Sequence, residues 1–189
     1  MDALWLGVSG DKTDDYLLDR VEEALRLIKQ HDPARYRRLQ RDMKRIFIHH
    51  LFGVRGSFSS ALSRCDLDFR YVRSSSAELI ASTIVHEATH AHPCLRKFGY
   101  PEALRYRIEQ ICMRQELSFA RKLPEGDRAI EDAERMLTLA PSVWTTEELG
   151  KSRRDGAFAA ARDVGIPDWL TNSLLTIRKA YERLRRIQS

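Results

Sequence analysis

The chain has 189 residues, 43% of them hydrophobic and 31% charged, and a formal net charge of +5. This length and composition are sufficient for one domain with a buried core. The three cysteines are too few and too widely spaced for a disulfide framework or a Cys-x-x-Cys metal site. The sequence has no run of eighteen apolar residues and no N-terminal secretory signal, so we expect a cytoplasmic protein with no membrane-spanning helix.

The first part of the sequence predicts two helices. Apolar residues recur at helical spacing over residues 14–30, which is typical of an amphipathic helix. Asp32 followed by Pro33 matches an N-cap and the first position of a second helix. We expect this second, basic helix to extend to about Met43.

The next segment predicts a small sheet. Residues 45–51 have the composition of a strand, and Gly53 and Gly56 mark turns after it. Apolar and polar residues alternate over residues 65–72, which predicts a second, half-exposed strand.

The remaining sequence predicts helices separated by prolines. Serines at positions 74–76 followed by Glu78 form a capping pattern, and the helix that they open extends to about His92. Further helices are predicted over residues 101–122, 125–139, 146–164 and 168–187. The predicted fold class is α+β, mainly helical, with a small sheet beside the helix that begins near residue 77.

Residues 83–91 contain the pattern His-Glu-x-x-His, formed by His86, Glu87 and His90. On a helix, this spacing places both imidazoles on one face, one turn apart, where both can reach one Zn²⁺. Glu87 then lies beside the metal and can take a proton from a zinc-bound water. The flanking residues are apolar and uncharged, so these polar side chains would be costly to bury without partners. The alternative is two ordinary helix histidines beside a surface glutamate.

A zinc site needs a third protein ligand, and the following helix offers carboxylates. Glu102, Glu109 and Glu116 are seven residues apart and therefore share one helix face. Glu102 is close to the turn, whereas Glu109 is far enough along the chain to meet His90. Glu116 could also reach, either as an alternative ligand or as a partner that holds a ligand imidazole. The apolar stripe beside this face is expected to comprise Leu104, Ile108, Ile111, Cys112 and Phe119.

His86-Glu87-x-x-His90 with a glutamate on the next helix resembles the zincin metallopeptidases, specifically the thermolysin-like gluzincin branch. The resemblance implies one Zn²⁺ per chain, held by His86, His90 and Glu109. It implies that Glu87 is the general base and proton shuttle, and that the substrate is a peptide or protein.

The resemblance covers about residues 67–119 and implies a minimal version of the zincin fold. Residues 1–189 would form a single zincin-like domain, with a catalytic core at about 44–123 and a helical C-terminal extension at 124–189. In this family, a strand before the active-site helix forms the upper edge of the cleft and pairs with an extended substrate. Residues 67–72 would take that place.

Peptide hydrolysis also needs a donor that stabilises the oxyanion. Tyr100, His92, Tyr106 and Arg105 are the candidates near the motif, and each has a structural role as its alternative.

A second hypothesis keeps the fold without peptide cleavage. It is a catalytically idle zincin-like binding or regulatory module. Residues 35–45 contain six basic residues and one acid, and residues 178–186 contain five basic residues and one acid. These basic patches could bind an acidic partner or nucleic acid, or they could be solvated helix faces.

Overall fold

A computed structural model of the chain describes residues 4–9, 14–92, 101–163 and 165. Within these ranges the strands are β1 (Trp5–Val8), β2 (Arg45–His49), β3 (Gly56–Ser59) and β4 (Arg64–Asp68). The helices are α1 (Tyr16–His31), α2 (Pro33–Asp42), α3 (Phe69–Ser74), α4 (Ala77–His90), α5 (Glu102–Ala120), α6 (Asp127–Leu137) and α7 (Thr146–Asp163). A short 3₁₀ helix, Pro141–Trp144, precedes α7.

The four strands form one mixed sheet in the order β1-β2-β4-β3. Strands β1, β2 and β4 are parallel, whereas β3 runs antiparallel to β4 and forms an edge of the sheet. Strand β2 buries alternate residues, Ile46 and Ile48, because one of its faces turns toward the core. In β4, which has a neighbouring strand on each side, all residues from Cys65 to Asp68 are buried, and the apolar Cys65 and Leu67 belong to the same core.

Helix α4 occupies the centre of the packing, because it contacts α1, α5 and the strands β3 and β4. Its buried residues extend without a break from Leu79 to Glu87, as expected of a helix covered on several sides. The Ser76 side chain caps its first turn by accepting a hydrogen bond from the Leu79 amide. The core between α4, α1 and the sheet is closed by Phe119 of α5.

The predicted fold class, α+β and mainly helical with a small sheet, is confirmed. The predicted helices over 14–30, 33–43, 77–92, 101–122, 125–139 and 146–164 match α1, α2, α4, α5, α6 and α7 to within about two residues at each end. Asp32 is the N-cap of α2 and accepts a hydrogen bond from the Arg35 amide at 3.0 Å. The predicted helix over 168–187 lies outside the described residues.

The predicted strand over residues 65–72 is wrong beyond Asp68. The chain turns into α3 there, because the Asp68 carboxylate accepts hydrogen bonds from the amides of Tyr71 and Leu51 and so caps a helix. The assignment of residues 67–72 to the edge of the cleft is therefore also wrong. Strand β4 is an inner strand with a neighbour on each side, and the edge beside α4 is β3.

Candidate metal centre

The His-Glu-x-x-His motif lies in the buried part of α4. His86 is 8% exposed and Glu87 is 6% exposed. Helix α5 packs against this stretch with Glu109 and Glu116 turned inward, at 8% and 7% exposure. Burial of an unpartnered charge is costly, so carboxylates buried close together are expected to have hydrogen-bonding or ionic partners nearby.

Three ligand atoms converge between the two helices. His86 Nε2 lies 3.2 Å from His90 Nε2 and 3.4 Å from Glu109 Oε2. His90 Nε2 lies 3.8 Å from the same carboxylate oxygen. In a tetrahedral zinc site, donors at about 2.0–2.1 Å from the metal are about 3.3 Å from each other. The three separations are close to that spacing, so the donor set fits zinc.

The other ring nitrogens of the two histidines have their own partners on α5. His86 Nδ1 lies 3.2 Å from Glu116 Oε2, and His90 Nδ1 lies 3.4 Å from Cys112 Sγ. A metal-binding histidine usually donates its second ring N–H to such a partner, which fixes the orientation of the ring. Glu116 therefore lies behind His86, on the opposite side from the converging atoms.

Mutual proximity of buried charges shifts the pKa values of the site. Burial, together with the carboxylates of Glu109 and Glu116, raises the pKa of Glu87 to about 7, although His86 opposes this change. Burial disfavours protonated His86, but its hydrogen bonds to Glu109 and Glu116 raise its pKa well above the usual range. Burial and the charge of His86 lower the pKa of His90 to about 4.

The charge balance of the site also favours a cation. Three carboxylates, those of Glu87, Glu109 and Glu116, interact within one buried region that also contains His86, and the charge of Arg55 acts on Glu116 from outside it. A divalent ion between His86, His90 and Glu109 would add positive charge at the centre of this group. Two imidazoles and one carboxylate are also the donor types that zinc accepts.

A second donor set shares the two histidines. Nitrogen atoms of His86 and His90 and the sulfur of Cys112 all lie within 4.8 Å of one another. Burial, followed by the charges of Glu109 and Glu87, raises the pKa of the Cys112 thiol far above its usual range. Cys112 Sγ faces Nδ1 of His90, whereas the Nε2 atoms of both histidines converge on Glu109, so the convergence favours Glu109 as the third donor.

Gly56 brings the edge strand β3 against the motif. A side chain at this position would place its Cβ 3.2 Å from Oε1 of Glu87 and 3.1 Å from the Thr83 methyl group. Only glycine lets the backbone of β3 pass this close without displacing its neighbours. Sequence reasoning took Gly56 as a turn and missed this contact, since nothing in the local pattern shows which helix the glycine faces.

Four residues near the motif were predicted as donors to an oxyanion, and one of them, Arg105, lies with its Nε 3.5 Å from Oε2 of Glu102. His92 is exposed beyond the end of α4, and Tyr106 is half-buried on α5. Neither side chain takes part in the contacts given above. Tyr100 lies outside the described residues.

The basic patch at residues 35–45 is less open than its sequence suggests. Arg35 is buried, where it contacts Asp32 and Gln115, and Arg41 pairs with Asp42 at 2.8 Å. Arg37, Arg38, Lys44 and Arg45 remain exposed. The second patch, 178–186, lies outside the described residues.

Two surface clefts meet at Arg55 and Tyr71, near the start of β3. One, of about 310 Å³, lies between the loop before β3 and α7, and the other, of about 460 Å³, lies beside α6. Arg55 forms an ion pair with Asp132 of α6. The Tyr71 hydroxyl contacts Thr83 Oγ1 at 2.8 Å, one helical turn before Glu87. Both clefts therefore open close to the motif without containing it.

Comparison of this chain with protein-family models, with curated protein sequences and with solved structures found no match. Among the described residues, no helix has both the length and the apolar character needed to cross a membrane. The functional conclusion therefore rests on the geometry and chemistry of the candidate metal centre.

Proposed function

We propose that this chain is a zinc-dependent hydrolase, and specifically a small metallopeptidase of the gluzincin type. The observation that carries the proposal is the convergence of His86 Nε2, His90 Nε2 and Glu109 Oε2, with the buried carboxylate of Glu87 on the same helix. A structural zinc site would have no use for this additional carboxylate, whereas hydrolysis requires a base beside the metal.

His86, His90 and Glu109 would hold the zinc ion, which supplies Lewis-acid activation of water and of the substrate carbonyl. Glu87 would accept a proton at a carboxylate oxygen and return it to the leaving amine. Its burial serves this role, because a pKa near neutrality suits a group that must both take and release a proton. Glu116 would accept the N–H of His86 Nδ1 and so keep Nε2 available to the metal.

Strand β3 supports a peptide as the substrate. Among the described strands, β3 pairs on one side only, so its other side offers backbone groups to an extended chain. Gly56 places this strand next to Oε1 of Glu87. A peptide added to β3 would therefore lie alongside the catalytic carboxylate.

The test is a measurement of bound zinc and of peptide hydrolysis on the same preparations. We expect about one zinc per chain in the wild type and in Glu87→Gln, and a loss of zinc in His86→Ala and Glu109→Ala. Peptide cleavage should be lost in Glu87→Gln, His86→Ala and Glu109→Ala. Glu102→Gln, at an exposed site on the same helix as Glu109, is the matched control and should retain both zinc and activity.

Absence of zinc from the wild type, even after addition of the metal, would refute the proposal. Retention of zinc together with no cleavage of any peptide library would favour the idle binding module instead. For that module, binding to an acidic partner or nucleic acid should weaken steeply with salt, and it should fail in Arg37→Glu, Arg38→Glu.

A further inference from the structure

Cys112 occupies a defined place relative to the two histidines. It is fully buried on α5, three residues after Glu109, and its sulfur lies 3.4 Å from Nδ1 of His90. We infer that the Cys112 thiol is a positioning residue, which accepts a hydrogen bond from His90 Nδ1 and so turns His90 Nε2 toward Glu109. The inference rests on the proposed metal centre.

The register of α4 and α5 makes Cys112 the counterpart of Glu116. The contacts His86–Glu116 and His90–Cys112 show that the two helices run antiparallel, because the residue order on α5 is reversed. The histidines are four residues apart on α4, and their partners are four residues apart on α5. Each Nδ1 therefore faces one α5 side chain, one helical turn from the next.

The second ring nitrogen determines which tautomer each histidine adopts. A neutral imidazole carries one proton, and a partner that accepts it at Nδ1 leaves the lone pair on Nε2. His90 Nε2 is the atom that lies 3.2 Å from His86 Nε2, on the face where the ligand atoms converge. Cys112 thus acts on the opposite side of the ring from the metal, as Glu116 does for His86.

A neutral sulfur suits this position better than a second carboxylate. The site already buries Glu87, Glu109 and Glu116, and a further buried negative charge would add to their repulsion. A cysteine side chain can accept a weak hydrogen bond at sulfur without adding a carboxylate. Valine would fill a similar volume without an acceptor, whereas serine would preserve one.

The test uses Co²⁺ as the probe in the full chain. Absorption spectra and chelator competition are measured for the wild type, Cys112→Ser, Cys112→Val and Met113→Leu, the last being a buried neighbour on α5. We expect no sulfur-to-cobalt charge-transfer band in the wild type. Cys112→Val should lower Co²⁺ affinity about 10- to 100-fold, and Cys112→Ser and Met113→Leu should stay within a few fold of the wild type.

Nitrogen NMR of His90 in the Zn²⁺-loaded protein supplies a readout that a purely packing role would not change. In the wild type and Cys112→Ser, the ring proton should be on Nδ1 with its signal shifted by hydrogen bonding, and this shift should be lost in Cys112→Val. Circular dichroism of the metal-free variants shows whether each one folds. If Cys112→Val does not fold, the Co²⁺ affinity and the His90 signal of Cys112→Ser test the inference.

Three results would overturn the inference. A charge-transfer band that is present in the wild type and lost in Cys112→Ser would make Cys112 a direct ligand. Equal Co²⁺ affinity and an unchanged His90 signal in Cys112→Val would make it a core residue only. A wild type that binds neither Co²⁺ nor Zn²⁺ would refute the proposed metal centre as well, so the two failures are distinguishable.

Discussion

Replacement of Glu87 by glutamine should stabilise the metal-free protein at neutral and alkaline pH. The buried carboxyl of Glu87 has its pKa raised from 4.5 to about 7, first by burial and then by the charges of Glu109 and Glu116. In the unfolded chain the same group ionises near 4.5. Between these two values the unfolded state loses a proton that the folded state keeps, so the free energy of unfolding falls as the pH rises. Above about pH 7 the loss is complete.

The magnitude follows from the width of this window. A shift of one pKa unit corresponds to about 1.4 kcal/mol. Between pH 5 and pH 8, the free energy of unfolding of the wild type falls over about two pH units, from pH 5 to about pH 7, where the folded state also loses its proton. Glutamine has nearly the same shape and does not titrate, so the stability advantage of Glu87→Gln should grow by about 3 kcal/mol between pH 5 and pH 8.

Urea unfolding in the presence of a chelator, at pH 5 and pH 8, measures this difference directly. Glu125→Gln, which removes one carboxylate from an exposed turn, is the control, and its unfolding free energy should follow that of the wild type at both pH values. The reasoning is refuted if Glu87→Gln and the wild type differ by the same amount at pH 5 and at pH 8. That result would mean that the Glu87 carboxylate ionises in the fold without penalty.

Three further predictions concern the surroundings of the site. Asp32 accepts hydrogen bonds from Lys122 and Arg35, which lower its pKa to about 2 although burial opposes them. Acid unfolding should therefore show stability lost as the pH falls from about 4 to 2, and Asp32→Ala should cost about 2 kcal/mol in urea unfolding at pH 7. Gly56→Val should displace the Glu87 carboxylate and reduce the proposed peptide cleavage with zinc content unchanged, and Gly56→Ala, with its smaller side chain, should reduce cleavage less. Phe119→Ala, which removes a fully buried ring, should lower the unfolding free energy by about 3–5 kcal/mol, whereas Phe52→Ala, at an exposed site, should lower it by less than 1 kcal/mol.

Six of the seven α-helices among the described residues could be predicted from the sequence because their signals are local, whereas α3 was taken for part of a strand. The caps Asp32 and Ser76 each lie within three residues of the amide that they bind. The short strands β1 and β3 were missed, since their residues pair with partners that are distant in the chain. Strand pairing is set by tertiary contacts that a four-residue segment cannot reveal.

The spacing of His86 and His90 predicted which side chains meet, but the helix face of α5 was predicted only in part. The stripe assigned to the core included Leu104 and Ile111, and both are exposed, at 38% and 40%. The face that packs on α4 instead includes Glu109, Cys112 and Glu116. Glu109 and Glu116 share one helix face, so the sequence could not show which of them meets the Nε2 atoms of the histidines. The antiparallel register of α4 and α5 decides this, because it brings Glu109 to Nε2 and Glu116 to Nδ1 of His86.

The same helix pair has a consequence for the order of folding. Contact between His90 and Glu109 closes 19 residues of chain, whereas pairing of β1 with β2 joins Leu6 to Ile46, which are 40 residues apart. Closing a longer loop costs more entropy before the contact between its ends can stabilise the chain, so contacts between residues close in sequence tend to form early. Substitutions at the α4–α5 contact, such as Cys112→Ala, should therefore slow folding, while substitutions in β1 should mainly accelerate unfolding.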